Sequence, residues 1–175
     1  QIVSIEKKTE ILKYNPNGYV PVLVLDDGHK ITEATSILQY LGDLRAGESF
    51  LPQARGLERE ECVRWLTFIT TELHQKVVPF FHRDDLKGTE FLKETEQKVA
   101  QRLQTIDTHL AKNRYFLGDH YTVADMYALA ILRTCDHLKL DLDKYPSVTI
   151  FKKMMEAKPL VVKLTKLEEK DAQSL

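Results

Sequence analysis

Near the start of this chain, the apolar residues change from a continuous run to a helical spacing. The run Val20–Leu25 is short and rich in valine, which is typical of a strand buried on both faces. Asp27-Gly28 supplies the residues of a tight hairpin turn, after which Ile31 opens a partnering strand. A helical spacing follows at Ile37, Leu38 and Leu41. The pattern therefore predicts two strands joined by a hairpin and then a helix.

Other signals bound this stretch on both sides. Ile2–Ile5 has the pattern of a strand without a cap before it, so we expect the N-terminus to fall within an element. Glu10–Tyr14 is typical of a short helix or turn, closed by the turn-forming run Asn15–Gly18. The later helical spacing is interrupted at Gly42, Asp43, Gly47 and Pro52. We therefore predict a linker at 43–52, between a domain at 1–44 and a second domain at 52–175.

Beyond the linker the apolar spacing is helical throughout, which predicts an all-α domain. Leu57–Phe81 is predicted to be one long amphipathic helix that Pro79 bends or ends. Apolar positions from Leu92 to Leu110 predict a second helix, packed antiparallel to the first. Pro146 and Pro159 are each expected to open one of the last helices.

The best local signal is Thr122-Val-Ala-Asp125, which has the spacing of a capping box. Tyr121 and Met126 occupy the positions of a hydrophobic staple around it. The helix that begins there is apolar almost all round up to Leu132, so we expect it to lie at the buried centre of the domain. Asp125 would then be a buried cap, which favours a structural role over a catalytic one.

Composition and missing motifs exclude several classes of function. The net charge is -1, which gives no electrostatic reason to expect nucleic acid or an anionic membrane as a partner. No apolar run approaches the roughly 20 residues that span a bilayer. Cys62 and Cys135 lie in helical patterns, which favours a reducing compartment, the cytoplasm, over a disulfide framework. The chain has no GxGxxG, CxxC or HExxH motif, and its scattered histidines predict no metal site.

The start of the first helix offers a candidate binding site. Its free N–H groups and the positive end of its dipole would bind a carboxylate, while the Glu33 side chain would bind an ammonium group. Together they would hold an amino-acid head group. Pro21 leaves Val20 with unpaired backbone groups, to which an extended peptide could bind. The alternative is an ordinary strand-to-helix unit with Glu33 as a solvated acid.

A second candidate lies on the predicted long helix. His74 stands close to Thr71 and Glu72, and a neutral imidazole there could hydrogen-bond a thiol or help to hold it ionised. The alternative is an ordinary helix histidine, and the spacing alone leaves both open.

Several of these features occur in order in one known family. The chain resembles cytosolic glutathione transferases, and most closely the bacterial beta class. NPNGYVPVLVLDDGHKITEATSILQYL is similar to the family's proline strand, hairpin and helix start, while WLTFITTELH and FLGDHYTVADMYAL are similar to signatures of its helical domain.

The resemblance implies a glutathione transferase fold: an α/β thioredoxin-like N-terminal domain and an all-α C-terminal domain, in a homodimer. It implies glutathione as co-substrate, a small electrophile as second substrate, a role in detoxification, and no metal. Val20 would bind the cysteinyl part of glutathione beside a cis Pro21. Glu33 and the Ala34 N–H would hold its γ-glutamyl end. His74 is the candidate catalytic residue, and Thr67, Thr71 and Glu72 are candidate substrate-binding residues.

The chain departs from the family pattern in three places. Ala34 stands where many members have a hydroxyl, and Thr67 where a close relative would have asparagine. The family's first strand and helix, which carry a Cys, Ser or Tyr that acts on the thiol, have no counterpart here, so we expect an incomplete domain. The leading hypothesis is conjugation of glutathione. The alternatives are a binding or scaffold protein without turnover, and a glutathione-dependent reductase or isomerase.

Overall fold

A computed structural model describes residues 8–45 and 50–172 of the chain. The predicted strand Ile2–Ile5 lies outside these residues. Contacts divide the chain into two units, Gln1–Leu51 and Pro52–Leu175. Within the described ranges, no helix combines the length and the apolar character needed to cross a bilayer.

The N-terminal unit contains the predicted hairpin and helix. Its elements are α1 (Lys8–Ile11), β1 (Val22–Val24), β2 (Lys30–Thr32) and α2 (Ala34–Leu44). The two strands are antiparallel. At the hairpin, the Gly28 N–H donates to the Leu25 carbonyl at 2.9 Å. Gly28 has φ +83°, a conformation that glycine adopts without a steric penalty. The predicted hairpin is therefore confirmed.

The prediction that the first strand is buried on both faces is wrong. Val24 is 44% exposed, and Val20, just before the strand, is 71% exposed. Helix α2 packs against both strands. In the part of the chain that the structure describes, however, the sheet has only two strands, so much of its side-chain surface remains accessible.

Helix α2 continues past the glycine that was expected to interrupt it. Gly42 and Asp43 both lie inside α2, which ends at Leu44. A Cβ on Gly42 would lie 2.7 Å from the Leu51 Cβ, closer than real side chains approach. Glycine is present here because Leu51 packs against the helix backbone. The predicted start of the linker at Asp43 is therefore wrong.

In the helical unit, the predicted long helix is continuous but irregular. It consists of α3 (Leu57–Phe68), a π-helical turn (Ile69–His74), α4 (Gln75–Val77) and a 3-10 segment (Val78–His82). The Thr70 hydroxyl donates to the Leu66 carbonyl at 2.8 Å, and the Thr71 hydroxyl to the Thr67 carbonyl at 3.0 Å. Such bonds compete for the carbonyls that an α-helical ladder uses. The predicted long helix is therefore present, with a π turn and a 3-10 end that the apolar spacing did not predict.

Helix α5 (Glu90–Leu110) packs against the π turn and α4. Two ion pairs give its direction: Glu72 pairs with Arg102, and Arg83, directly after the end of the first helix, pairs with Glu96. As numbers rise on one helix they fall on the other. The predicted antiparallel pairing is confirmed.

The last three helices are α6 (Val123–His137), α7 (Pro146–Glu156) and α8 (Pro159–Ala172). Proline opens α7 and α8, as predicted. Helix α6 begins with the predicted capping box and is buried along most of its length. The first turn of α7 is capped from another helix, because Asp107 of α5 accepts hydrogen bonds from the N–H groups of Ser147 and Val148 at 2.7 and 3.1 Å. The most deeply buried large side chains of this unit are Leu66, Ile69, Leu73, Ile106, Leu132, Phe151 and Met155.

Candidate functional site

The hairpin brings the N-terminal candidate residues to one end of the sheet. Val22 pairs with Thr32 in the antiparallel register. The next residues outward along the two strands are therefore Pro21 and Glu33. The Val20-Pro21 peptide bond is cis, as predicted.

Val20 offers backbone groups at this end of the hairpin. It precedes β1, which begins at Val22, and is exposed. Within the described residues, its N–H and C=O have no hydrogen-bond partner. An extended ligand could therefore bind to them as an added strand would.

Glu33 is the N-cap residue of α2, which begins at Ala34. It therefore lies before the first helical turn and not within it. Its backbone has φ 65° and ψ 120°, and its side chain makes no capping bond. A non-glycine residue at positive φ is uncommon, and such strain concentrates at functional sites. The carboxylate is exposed and has no cationic partner among the described residues.

The N-terminus of α2 complements this carboxylate. The first backbone bond of the helix runs from the Ile37 N–H to the Glu33 carbonyl at 3.0 Å. The preceding N–H groups, of Ala34, Thr35 and Ser36, have no acceptor in the described part of the chain. A negative acceptor group and unpaired donors at a helix N-terminus thus lie side by side, which suits a ligand that carries both an ammonium and a carboxylate.

The four candidates of the helical unit have different partners. Thr67 and Thr71 are exposed, and their hydroxyls donate to carbonyls one turn earlier in the helix. Glu72 faces α5, where its Oε2 lies 2.7 Å from a guanidinium nitrogen of Arg102. His74 contacts α6 instead.

His74 is half-buried, and its Nδ1 lies 2.8 Å from the Tyr127 hydroxyl. Burial lowers the pKa of this imidazole below its usual value. The side chain is therefore neutral at neutral pH and carries one N–H donor and one acceptor nitrogen.

Asp125 and the two cysteines have structural environments. The Asp125 carboxylate accepts hydrogen bonds from the Phe116 and Thr122 N–H groups and from the Thr122 hydroxyl, and it is fully buried. Burial raises its pKa against the opposing effect of these bonds. Burial also raises the pKa of the Cys62 thiol, and it raises that of Cys135 to about 12. Neither cysteine is suited to act as a thiolate.

Neither Tyr127 nor Arg102 is predicted by a sequence motif. Tyr127 lies in the apolar run of α6, where it resembled a core aromatic. Arg102 is one of several charged residues on α5, and no spacing signal links it to Glu72. Within 8–45 and 50–172, no three His, Cys, Asp or Glu side chains are grouped closely enough to hold a metal ion.

Comparison with known proteins identifies the family of this chain. A family model for the glutathione S-transferase N-terminal domain matches residues 1–49, and one for the C-terminal domain matches residues 68–159. Glutathione S-transferase GstA of Escherichia coli O157:H7 is 31% identical over 157 residues, which cover 90% of this chain and 77% of the relative. The chain belongs to the glutathione transferase family.

Solved structures of glutathione transferases agree with this assignment. A sphingomonad glutathione S-transferase complexed with glutathione matches with a TM-score of 0.84 at 28% identity, covering 91% of this chain and 78% of that one. A bacterial beta class enzyme of Sphingomonas chungbukensis matches with a TM-score of 0.82 at 29% identity, covering 90% and 78%. The predicted fold class, an α/β thioredoxin-like domain followed by a helical domain, is confirmed, and so is the predicted enzyme class, glutathione transferase.

Proposed function

We propose that this glutathione transferase binds glutathione through its N-terminal domain, residues 1–44, and conjugates the thiol to small apolar electrophiles held by its helical domain, residues 52–175. The observation that carries the proposal is the Glu33 carboxylate, which has no cationic partner among the described residues, beside the open N-terminus of α2. The sphingomonad relative solved with glutathione supports the choice of co-substrate.

The polar groups of glutathione match those at the end of the hairpin. The γ-glutamyl ammonium pairs with the Glu33 carboxylate, and the adjacent carboxylate binds the N–H groups that begin with Ala34. The cysteinyl backbone binds the unpaired groups of Val20 beside Pro21.

The nucleophile is the glutathione sulfur. The two cysteines of this chain are both buried with raised pKa values, so neither competes as a thiolate. His74 donates a hydrogen bond to the sulfur and stabilises its negative charge, while Thr67, Thr71 and Glu72 bind substrate. The thiolate attacks the electrophilic carbon, a C–S bond forms, the leaving group departs with its electron pair, and the thiol proton passes to solvent. No step needs a metal.

The test is calorimetric titration of glutathione into wild type and Glu33→Gln, which keeps the size of the side chain and removes its charge. Loss of a charge-assisted hydrogen bond should weaken binding by about 1.5–3 kcal/mol. Glu10→Gln is the matched control, because Glu10 is also an exposed glutamate of the N-terminal unit. Wild-type affinity in Glu33→Gln would place the site elsewhere.

We also propose that the protein is a cytoplasmic homodimer with a role in detoxification. Its two cysteines are both free and buried, which is typical of a protein that stays in a reducing compartment. Light scattering at micromolar concentration should give the mass of a dimer, and the mass of a single chain would contradict the proposal.

A further inference from the structure

The hydrogen bond between His74 and Tyr127 joins a candidate catalytic side chain to a buried support. The His74 Nδ1 and the Tyr127 hydroxyl are 2.8 Å apart, and the two rings meet edge to face at 83° with centroids 6.0 Å apart. Tyr127 is 7% exposed and belongs to α6, the buried helix that packs against the π turn. The hydroxyl is therefore held in a fixed position relative to the imidazole.

The chemistry of the two groups gives the direction of this bond. A neutral imidazole has one protonated and one unprotonated nitrogen, and a phenol hydroxyl can donate or accept. Because the phenol oxygen shares its lone pair with the ring, it is a stronger donor than acceptor, whereas an unprotonated imidazole nitrogen is a strong acceptor. The favoured arrangement has the Tyr127 O–H donating to Nδ1, which leaves the hydrogen of His74 on Nε2.

We propose that Tyr127 is a positioning residue, which holds His74 in the tautomer with its hydrogen on Nε2 and aims that N–H as the donor to the glutathione sulfur. The part that concerns turnover rests on the proposed function. A hydrogen bond to one ring nitrogen of a histidine sets the tautomer, and so decides whether the other nitrogen is a hydrogen-bond donor or an acceptor. A neutral N–H stabilises a thiolate without protonating it, whereas the other tautomer would present a lone pair and repel the sulfur.

The tautomer can be read directly in the wild-type protein. Proton–nitrogen correlation spectra of the ¹⁵N-labelled chain at about pH 8, where histidine is neutral, distinguish the two forms by their nitrogen shifts. His74→Gln assigns the His74 signals by their loss. We expect Nε2 to carry the hydrogen, and a spectrum of the Nδ1-protonated form would overturn the proposal.

Tyr127→Phe keeps the ring and removes the hydroxyl. The His74 signals should then move towards the average of two exchanging tautomers. With glutathione and chlorodinitrobenzene as substrates, kcat should fall about 3- to 10-fold, the worth of one hydrogen bond, while KM for glutathione changes less than about twofold. A pure Nε2 tautomer in this variant, or an unchanged kcat, would overturn the positioning role.

Tyr115→Phe is the matched control. Tyr115 is a second buried tyrosine of the helical unit, 4% exposed, and its hydroxyl accepts a hydrogen bond from the Lys158 ammonium at 3.1 Å. Its loss should leave the tautomer of His74 and kcat unchanged, and an effect equal to that of Tyr127→Phe would overturn the assignment. Wild-type turnover in His74→Ala would instead refute the proposed catalytic role of His74, while the tautomer is decided by the spectra alone.

Discussion

Replacement of Asp125 by alanine should destabilise the helical unit strongly. The carboxylate accepts three hydrogen bonds within a fully buried network, two from the backbone N–H groups of Phe116 and Thr122 and one from the Thr122 hydroxyl. Alanine accepts none of these bonds. Because Asp125 and Thr122 are fully buried, both backbone donors would be left without a partner in the protein.

The magnitude follows from these two donors. A buried donor left without an acceptor costs roughly 1–3 kcal/mol, which gives about 2–6 kcal/mol for the pair. Part of this loss is offset, because the variant no longer buries a carboxylate whose charged form is disfavoured, as its raised pKa indicates. We expect a net loss of about 2–4 kcal/mol, or roughly 4–16 °C in the melting temperature of a chain of this size.

Urea denaturation of wild type and Asp125→Ala measures this loss. Asp119→Ala removes an exposed aspartate from the loop that precedes α6 and should change stability by less than about 0.5 kcal/mol. Thr122→Ala should lose about 1 kcal/mol, since the Ala124 N–H loses its acceptor at 3.3 Å, whereas Thr122→Ser keeps the hydroxyl and most of the stability. Equal midpoints for wild type and Asp125→Ala would refute the reasoning.

Two further predictions concern α7 and His74. Asp107→Ala should lower the free energy of unfolding in urea by about 1–3 kcal/mol, because the N–H groups of Ser147 and Val148 lose their acceptor. Asp143→Ala, at an exposed site, should leave the free energy of unfolding unchanged. Equal losses in the two variants would show that the bond from α5 is dispensable. Burial lowers the pKa of His74, so its neutral form contributes stability in full above about pH 6.5, and this contribution is lost as the pH falls through the lower folded pKa. Wild type should therefore lose more stability than His74→Gln when denaturation is measured from pH 7 down to pH 5, and parallel curves would contradict this.

Local signals predicted most of the secondary structure. The hairpin, the start of α2 and the capping box of α6 each depend on residues within a few positions, and all were found as predicted. At Gly42 the local signal gives the wrong prediction. A glycine is locally a helix breaker, but here it allows close packing of Leu51, a contact that the spacing of residues does not contain.

Fewer contacts of the candidate site were predicted, because most of them join residues that are distant in sequence. The positions of Val20 and Glu33 follow from the register of one hairpin, which turn chemistry predicts. The partners of Glu72 and His74 are 30 and 53 residues away in sequence, on helices whose packing the periodicity does not fix. Asp107 was missed as a cap because it caps a helix 40 residues later.

The π turn at Ile69–His74 has a consequence for changes in chain length. A π turn contains about one residue more than the α turn that it replaces, and each residue of an α-helix advances the chain by about 100°. Deletion of Thr70 or Thr71 would convert the turn to a regular α-helix and leave Val77 and Phe80 facing the same core. The same deletion within α5 would rotate every later residue out of phase with its neighbours. In this long helix, shortening by one residue is therefore tolerated best at the turn that carries His74.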